Sequence, residues 1–118
     1  MMKIDMNQLK LATTIEHELF DGSKVGCTFA MYRLKRMANE RKDLHDVAIK
    51  VISKGTEDVF EASKALYAAY YCANIDDPER MSEEQFEMAC GSDYAGIMET
   101  IGKLVNPKNR QASGNRSS

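Results

Sequence analysis

The chain has 118 residues, 43% of them hydrophobic and 29% charged, and its formal net charge is −2. This length predicts one domain with one modest core, and this balance of residues argues against general disorder. The small net charge gives no overall attraction to nucleic acid. The last residues carry three cations and no acid: Lys108, Arg110 and Arg116. We therefore predict a single globular domain over residues 1–105 and a disordered, polar and basic tail over residues 106–118.

The cysteines predict a reducing environment. Cys27, Cys72 and Cys90 are odd in number and widely spaced, whereas the disulfide framework of a secreted protein uses an even count. The first ten residues lack the apolar core of a signal peptide. No apolar run approaches the roughly 20 residues that span a bilayer. We expect reduced thiols, a cytoplasmic location and no membrane contact.

The N-terminal part of the chain predicts a β-hairpin over residues 9–28. Alternate positions carry Leu9, Leu11, Thr13, Ile15, His17 and Leu19, and then Val25, Cys27 and Phe29. A period of two is typical of a strand with one apolar face. An Asp21-Gly22 loop would put the two apolar sets on opposite faces, whereas an Asp21-Gly22-Ser23 loop pairs Leu19 with Val25 and unites them. We expect a three- or five-residue turn with Gly22 or Ser23 at positive φ.

Two helices are predicted after the hairpin. The first runs from about Phe29 to Glu40, with Thr28 as its N-cap. The second opens at Asp43 and has the clearest amphipathic pattern of the chain. Its apolar residues at i, i+3, i+4, i+7 and i+8 are Leu44, Val47, Ala48, Val51 and Ile52. Gly55 ends this helix in the usual position of a glycine after a helix.

The third predicted helix, Glu57 to Ala73 with Thr56 as its N-cap, is the most aromatic segment of the chain. It holds Phe60, Tyr67, Tyr70 and Tyr71 among Val59, Leu66, Cys72 and five alanines. Such a helix is buried by several neighbours or keeps one face for another protein. One interpretation makes its four aromatic rings the central core of a helical bundle. The other reserves an edge at Tyr70 and Tyr71 for a partner, since tyrosine is enriched at interfaces.

Two further helices complete the predicted fold. Residues 74–80 predict a loop because they contain an Asp-Asp-Pro sequence. The spacing of Ser82 and Gln85 predicts a capping box at the start of a helix that stops near Gly91. The last helix runs from about residue 92 or 93 to Val105. The predicted fold is mainly α, with an N-terminal β-hairpin packed on a compact bundle of four to five helices.

The sequence contains no residue spacing typical of a catalytic or metal site. His17 and His45 are the only histidines, and neither belongs to an HxxxH, CxxC or HxxE pattern. A buried Cys72 would be inert, and GxSxG and P-loop motifs are absent. We therefore predict no enzyme activity, no cofactor and no metal, and a function in binding.

Cations gather on the first helix and at its end: Arg33, Lys35, Arg36, Arg41 and Lys42. Such a cluster suits contact with phosphates. A small nucleic-acid-binding or regulatory protein that uses this helix is therefore the alternative function. The acidic chain argues against it, because a nucleic-acid-binding domain is usually basic as a whole.

Four segments occur in a recognisable order: the strand pair around DGSKVGCTFAMYRLK, a charged amphipathic helix, SKGTEDVFEASKALYAAYYCAN, and MSEEQFEMA with its capping box. In this order they resemble the tail assembly chaperones of long-tailed phages and prophages of Gram-positive bacteria, over about Leu11 to Leu104. The resemblance implies a non-enzymatic cytoplasmic protein made during virion morphogenesis and absent from the mature virion. Such proteins bind the tape-measure protein, keep it soluble and help to recruit tail-tube subunits. Many also exist in a longer, frameshifted form.

That role predicts a partner-binding surface. A tape-measure chain exposes apolar helical stripes, so its chaperone needs apolar grooves with adaptable walls, for which methionine is suited. The methionines predicted to supply such walls are Met31, Met37, Met88 and Met98. Many copies along one target imply self-association through a head-to-tail contact. We predict a groove between the first and the aromatic helix, with two arginines at its rim. Its residues are Arg33, Arg36, Met37, Phe60, Tyr67, Tyr70 and Tyr71.

Overall fold

The computed structural model describes residues 14–106, and its first element is an antiparallel β-hairpin. Strand β1 spans Ile15–Glu18 and strand β2 spans Lys24–Cys27. His17 pairs with Val25, so the predicted pairing of Leu19 with Val25 is wrong by two residues. The apolar positions of the two strands still share one face, because a shift of two residues preserves the alternation. The predicted strand residues 9–13 and tail residues 107–118 lie outside the described residues.

The turn of the hairpin explains this register. Leu19 donates its backbone N–H to the Ser23 carbonyl at 2.7 Å, and Gly22 donates to the Leu19 carbonyl at 2.9 Å. The connection is therefore Phe20 to Gly22, one residue earlier than the predicted loop. Gly22 has φ 90°, a conformation that a residue with a Cβ atom adopts only at a cost in free energy. Asp21 supports the turn by accepting hydrogen bonds from the Ser23 N–H and hydroxyl. The prediction of a three- or five-residue turn with Gly22 or Ser23 at positive φ is confirmed in its first form, with three residues and Gly22.

Five α-helices follow within residues 14–106. They are α1 (Met31–Glu40), α2 (Lys42–Lys54), α3 (Val59–Ala73), α4 (Glu83–Cys90) and α5 (Tyr94–Val105). β1 packs on α5 and β2 packs on α3. The predicted mainly α fold, with an N-terminal hairpin packed on a compact helical bundle, is confirmed.

The N-caps of α1 and α3 differ from the predicted ones. Thr28 accepts a hydrogen bond from the Ala30 N–H at 3.0 Å, and its own N–H donates to the carbonyl of Ala69 in α3. Thr28 therefore anchors β2 to α3, and α1 begins later without a side-chain cap. In α3 the cap is Asp58, whose carboxylate accepts two N–H groups of the first turn. A carboxylate suits the positive end of a helix, and Thr56 instead accepts the Asp58 N–H.

The last two helices begin as predicted. Gln85 donates its N–H to the Ser82 hydroxyl at 3.2 Å, and the Gln85 side chain accepts the Ser82 N–H at 2.9 Å, which confirms the capping box. α4 ends at Gly91 with φ 65°. Asp93 caps α5 by accepting the Gly96 N–H at 3.0 Å.

α3 lies at the centre of the fold. It packs against each of the other four described helices and against β2. Every residue from Ala65 to Cys72 is buried, as expected for a helix whose apolar residues cover most of its circumference. Its small alanine side chains leave room for close neighbours. The other elements contribute Cys27, Leu34, Met37, Leu44, Ala48, Val51, Phe86, Ile97 and Ile101 to this core.

A buried histidine joins the hairpin to α5. His17 is 2% exposed, and its Nδ1 lies 2.7 Å from the Thr100 hydroxyl oxygen. Burial lowers the pKa of His17, while the nearby carboxylates of Asp93 and Glu18 act in the opposite direction. His17 is therefore a structural residue of the apolar strand face.

Candidate partner-binding surfaces

Four of the seven predicted binding residues are buried. Met37 is fully buried, and Tyr67, Tyr70 and Tyr71 are at most 5% exposed. α1 packs directly on α3, so the side chains between these helices lie beyond the reach of a partner in this conformation. Tyr70 and Tyr71, which one interpretation assigns to a partner, lie in the interior. The structure supports the other interpretation, in which the three tyrosines belong to the core.

Two tyrosine hydroxyls fasten the segment before α4 to the centre of the fold. The Tyr70 hydroxyl accepts the Met81 N–H at 2.8 Å, and the Tyr67 hydroxyl donates to the Met81 carbonyl at 2.9 Å. The ring of Tyr70 also packs on Phe86 of α4, with 4.9 Å between the centroids. Because the hydroxyls are hydrogen-bonded, the rings are buried without leaving a polar group unsatisfied.

The third tyrosine connects α3 to α1 and to the loop before α4. The Tyr71 hydroxyl donates to Glu40 at 2.7 Å and accepts from Arg80 at 3.2 Å. The Arg80 guanidinium lies 4.3 Å from the centroid of the Tyr71 ring, within the range of a cation–π contact. Burial, and then the bond to Glu40, raise the pKa of Tyr71. These contacts make Tyr71 a structural junction.

The two predicted rim arginines bind the C-terminal end of α3 and the residues that follow it. Arg33 donates to the Cys72 carbonyl at 3.1 Å, one of the carbonyls that a helix end leaves without an intrahelical partner. Arg36 donates to both carboxylate oxygens of Asp76, at 2.8 and 3.2 Å. Arg36 is nevertheless exposed, so it remains accessible to a partner.

Much of the remaining basic cluster is neutralised by neighbouring acids. Arg41 donates twice to Asp43 and lies 3.5 Å from Glu83. The hydrogen bonds and charge of Arg41 hold the pKa of Asp43 well below its usual range. Lys42 pairs with Asp46 at 2.9 Å. These pairs leave less positive charge for phosphates, which weakens the nucleic-acid alternative.

Several large apolar side chains are exposed in residues 14–106: Phe20, Met31, Tyr32, Ile49, Ile52, Phe60, Met88 and Tyr94. Two of them begin α1, and Lys35 and Arg36 follow Met31 and Tyr32 at the i+4 spacing of neighbouring helix side chains. We call Met31, Tyr32, Lys35 and Arg36 the α1 surface. It combines apolar area with the positive charge of Lys35, since Arg36 is already paired with Asp76.

Tyr32 is missing from the residues predicted for binding, although the helical period contains a signal for it. Tyr32 stands two positions before Leu34, which is buried. Two positions correspond to about 200° around a helix. The side opposite the buried Leu34 and Met37 therefore carries Tyr32.

The prediction that Phe60 belongs to the central core is wrong, because its side chain is 74% exposed. Phe60 stands two positions before the buried Ala62, so the helical period turns it away from the interior. Its ring lies edge-on to Tyr94, with 6.4 Å between the centroids. We call Phe60 and Tyr94 the aromatic pair. Acidic residues adjoin it in sequence, Asp58 before Phe60 and Asp93 before Tyr94.

The three cysteines are not activated for catalysis. All three cysteines are buried and unpaired, and burial raises the pKa of Cys72 to about 12 and of Cys90 to about 11. A thiol must lose its proton to act as a nucleophile or metal ligand. Within residues 14–106, no group of three His, Cys, Asp or Glu side chains is placed to hold a metal ion.

None of the helices between residues 14 and 106 is long and apolar enough to cross a membrane. Searches of protein-family models, curated proteins and solved structures find no match to the chain. Inference about its function therefore rests on its own residues.

Proposed function

We propose that this protein is a non-enzymatic tail assembly chaperone, which binds the tape-measure protein of a long-tailed phage or prophage and assists tail-tube assembly. The observation that carries the proposal is the α1 surface, where Met31 is 72% and Tyr32 48% exposed beside Lys35 and Arg36. The order of sequence segments that resembles this family supports the same role. The proposed place of action is the bacterial cytoplasm, before the virion is complete.

The α1 surface has the chemistry that an apolar helical stripe requires. Methionine adapts its shape to different partners, and tyrosine provides apolar area with a polar end. Lys35 borders these residues and attracts acidic residues that flank a stripe, which favours correct orientation more than affinity. The neighbouring Arg36 is exposed but already paired with Asp76. The proposed contact is therefore a partner helix lying against α1, and the closed contact between α1 and α3 is not required to open.

Self-association belongs to the same proposal, because many copies must line up along one long target. The α1 surface and the aromatic pair lie near opposite ends of α3. Arg33 of α1 binds the carbonyl of Cys72 in the last turn of α3, whereas Phe60 lies in its first turn. At 1.5 Å per residue these turns are about 18 Å apart along the helix. A chain bound at the α1 surface therefore leaves the aromatic pair accessible to a neighbouring copy.

Co-expression with the tape-measure protein tests the proposal. The protein should increase the soluble fraction of a long, coiled-coil-rich chain encoded beside it, and the variant Met31→Ser/Tyr32→Ser should lose most of this effect. Met88→Ser is the matched control, because Met88 is equally exposed at 75% but belongs to α4. Tape-measure solubility unaffected by the wild-type protein would contradict the function. Equal activity of the double variant would contradict the proposed surface.

Retention on immobilised DNA at two salt concentrations separates this function from the nucleic-acid alternative. Phosphate-driven binding falls steeply with salt, and it would weaken in Lys35→Glu. We expect that neither the wild-type protein nor Lys35→Glu is retained on DNA at moderate salt. Salt-sensitive retention that Lys35→Glu abolishes would favour the alternative.

A further inference from the structure

A cleft of about 820 Å³ lies between β1 and α5. One wall is formed by the consecutive residues 16–20, and the other wall includes Ala95, Gly96, Glu99, Thr100 and Lys103. Successive residues of a strand point to opposite faces. A cleft lined by every residue of β1 from Glu16 onward therefore follows the edge of the strand and is not confined to one face.

Backbone groups of two β1 residues point to this edge. Leu19 donates its N–H to the Ser23 carbonyl and accepts the Gly22 N–H, so its backbone groups point toward β2. Along an antiparallel ladder such residues alternate with residues whose backbone groups point away from the partner strand. His17 and Val25 are then a hydrogen-bonded pair. The N–H and carbonyl groups of Glu16 and Glu18 consequently point away from β2, toward the cleft. Within residues 14–106 no backbone bond outside the β1–β2 ladder involves Glu16 or Glu18, and β1 has no second neighbouring strand.

The opposite wall leaves room for another backbone. Ala95 and Gly96 are small residues in the first turn of α5, and Glu99 and Lys103 lie farther along the same side and pair with each other at 3.2 Å. Phe20 stands at the turn of the hairpin with 78% of its side chain exposed. Among residues 14–106, the cleft thus has an unpaired strand edge on one side, small side chains on the other and the apolar side chain of Phe20 at one end.

We propose that this cleft binds an extended segment of a partner protein with lysine or arginine at alternate positions, as a third strand beside β1. Main-chain bonds to Glu16 and Glu18 would supply affinity, as in other cases of strand addition. The cleft carries four carboxylates and two lysines: Glu16, Glu18, Asp93, Glu99, Lys24 and Lys103. The residues directly opposite Glu16 and Glu18 share their face, where opposite charges stabilise a strand pair. The intervening residue faces inward, over Ala95 and Gly96.

A second copy of the chain does not fit this edge. Antiparallel pairing of two β1 edges would set glutamates against glutamates, and like charges directly opposite each other destabilise a strand pair. Charged side chains at an exposed edge also discourage unspecific pairing. The glutamates therefore select a cationic segment and reject an identical edge. This site shares no residue with the α1 surface, so it stands independently of the proposed chaperone function.

Amide hydrogen exchange in the ¹⁵N-labelled protein tests the proposal directly. The probe is the peptide acetyl-Lys-Val-Lys-Val-Lys-amide, and acetyl-Glu-Val-Glu-Val-Glu-amide is its charge-reversed control. The cationic peptide should slow exchange of the Glu16 and Glu18 amides several-fold at millimolar concentration, and the acidic peptide should not. Unchanged exchange at these two amides, or equal effects of the two peptides, would overturn the proposal.

Two variants with matched controls separate charge from backbone bonding. Glu16→Lys/Glu18→Lys should abolish measurable binding, whereas Glu79→Lys/Glu87→Lys makes the same change in net charge at exposed sites away from the cleft and should retain it. Glu18→Gln removes the charge and keeps the outward N–H, and Glu18→Pro removes both. Because the Glu18 N–H makes no hydrogen bond to β2, proline is tolerated at this position. The Glu18→Pro variant should bind the cationic peptide about 2–10-fold more weakly than Glu18→Gln does. Wild-type binding by the charge-reversed variant would refute the site.

Discussion

The two ends of α3 use aromatic residues in opposite ways. Toward the C-terminal end, Tyr67, Tyr70 and Tyr71 are buried, and each hydroxyl has a hydrogen-bond partner. In the first turn, Phe60 has no hydroxyl to satisfy and is exposed beside Tyr94. The difference teaches that aromatic content marks a central helix without telling which of its rings is interior. Helical phase and available hydrogen-bond partners decide that.

The largest expected effect is the loss of a ring from the interior end. Tyr70→Ala removes packing on Phe86 and leaves the Met81 N–H without its acceptor, so the free energy of unfolding should fall by about 3–5 kcal/mol. Phe60→Ala should cost less than about 1 kcal/mol, because most of its ring is already in water. Denaturant unfolding of the two variants gives this comparison. Similar losses would mean that the two ends are not distinct.

Removing only a hydroxyl separates packing from hydrogen bonding at the interior end. Tyr70→Phe keeps the ring and deprives the Met81 N–H of its partner, which should cost about 1–3 kcal/mol. Tyr32→Phe is the control, since no hydrogen bond to the exposed Tyr32 hydroxyl occurs in the described residues. Its unfolding free energy should be unchanged within error. A neutral Tyr70→Phe would show that the ring alone fixes this side chain.

His17 is a buried polar group that, unlike the tyrosine hydroxyls, titrates near neutral pH in the unfolded chain. Its pKa in the folded protein is lowered by burial from an unfolded value of 6.5. As the pH falls below 6.5, His17 becomes protonated in the unfolded chain before it does in the folded protein. The stabilisation from His17 is therefore fully present above pH 6.5 and decreases as the pH falls toward the pKa of the folded state. The slope from one histidine is at most about 1.4 kcal/mol per pH unit.

The measurement is the unfolding free energy between pH 7.5 and pH 5.5 for the wild type and for His17→Gln. Glutamine does not titrate, so the variant should be less stable at pH 7.5 and should lose less stability on acidification. Parallel curves for the two proteins would show that other groups cause the pH dependence.

The sequence was sufficient for the fold where one local rule governs. The capping box at Ser82 and Gln85, the glycine after α4 and the three-residue turn at Gly22 each depend on residues close together in the chain. The sequence predicts the wrong partner for Val25, because the turn starts one residue earlier than the Asp-Gly-Ser sequence suggests. The spacing of Leu34 and Met37 predicts a shared apolar face, but its burial against α3 depends on how α1 lies on α3, which no short sequence pattern specifies.

The candidate surfaces show the same limit. Arg33 and Arg36 are predicted from the cations on the first helix and from the groove that the family resemblance implies. Their bonds to Cys72 and Asp76 join residues about 40 positions apart in the chain, which no local pattern predicts. The cleft beside β1 depends on the docking of α5, and only the hairpin register reveals which backbone groups point into it. Tyr32, in contrast, was accessible to prediction from helical phase.

The smallest effect concerns the exposed end itself. An edge-to-face contact such as that of Phe60 with Tyr94 is worth about 0.5–1.5 kcal/mol when buried, and exposure should reduce this contact to about 0.5 kcal/mol. A double-mutant cycle with Phe60→Ala and Tyr94→Ala isolates the coupling from the loss of each ring. Coupling near this value means that the pair contributes little to folding and remains available for contact with a neighbouring copy. Coupling above about 1.5 kcal/mol would instead make the aromatic pair part of the core and would remove the contrast between the two ends of α3.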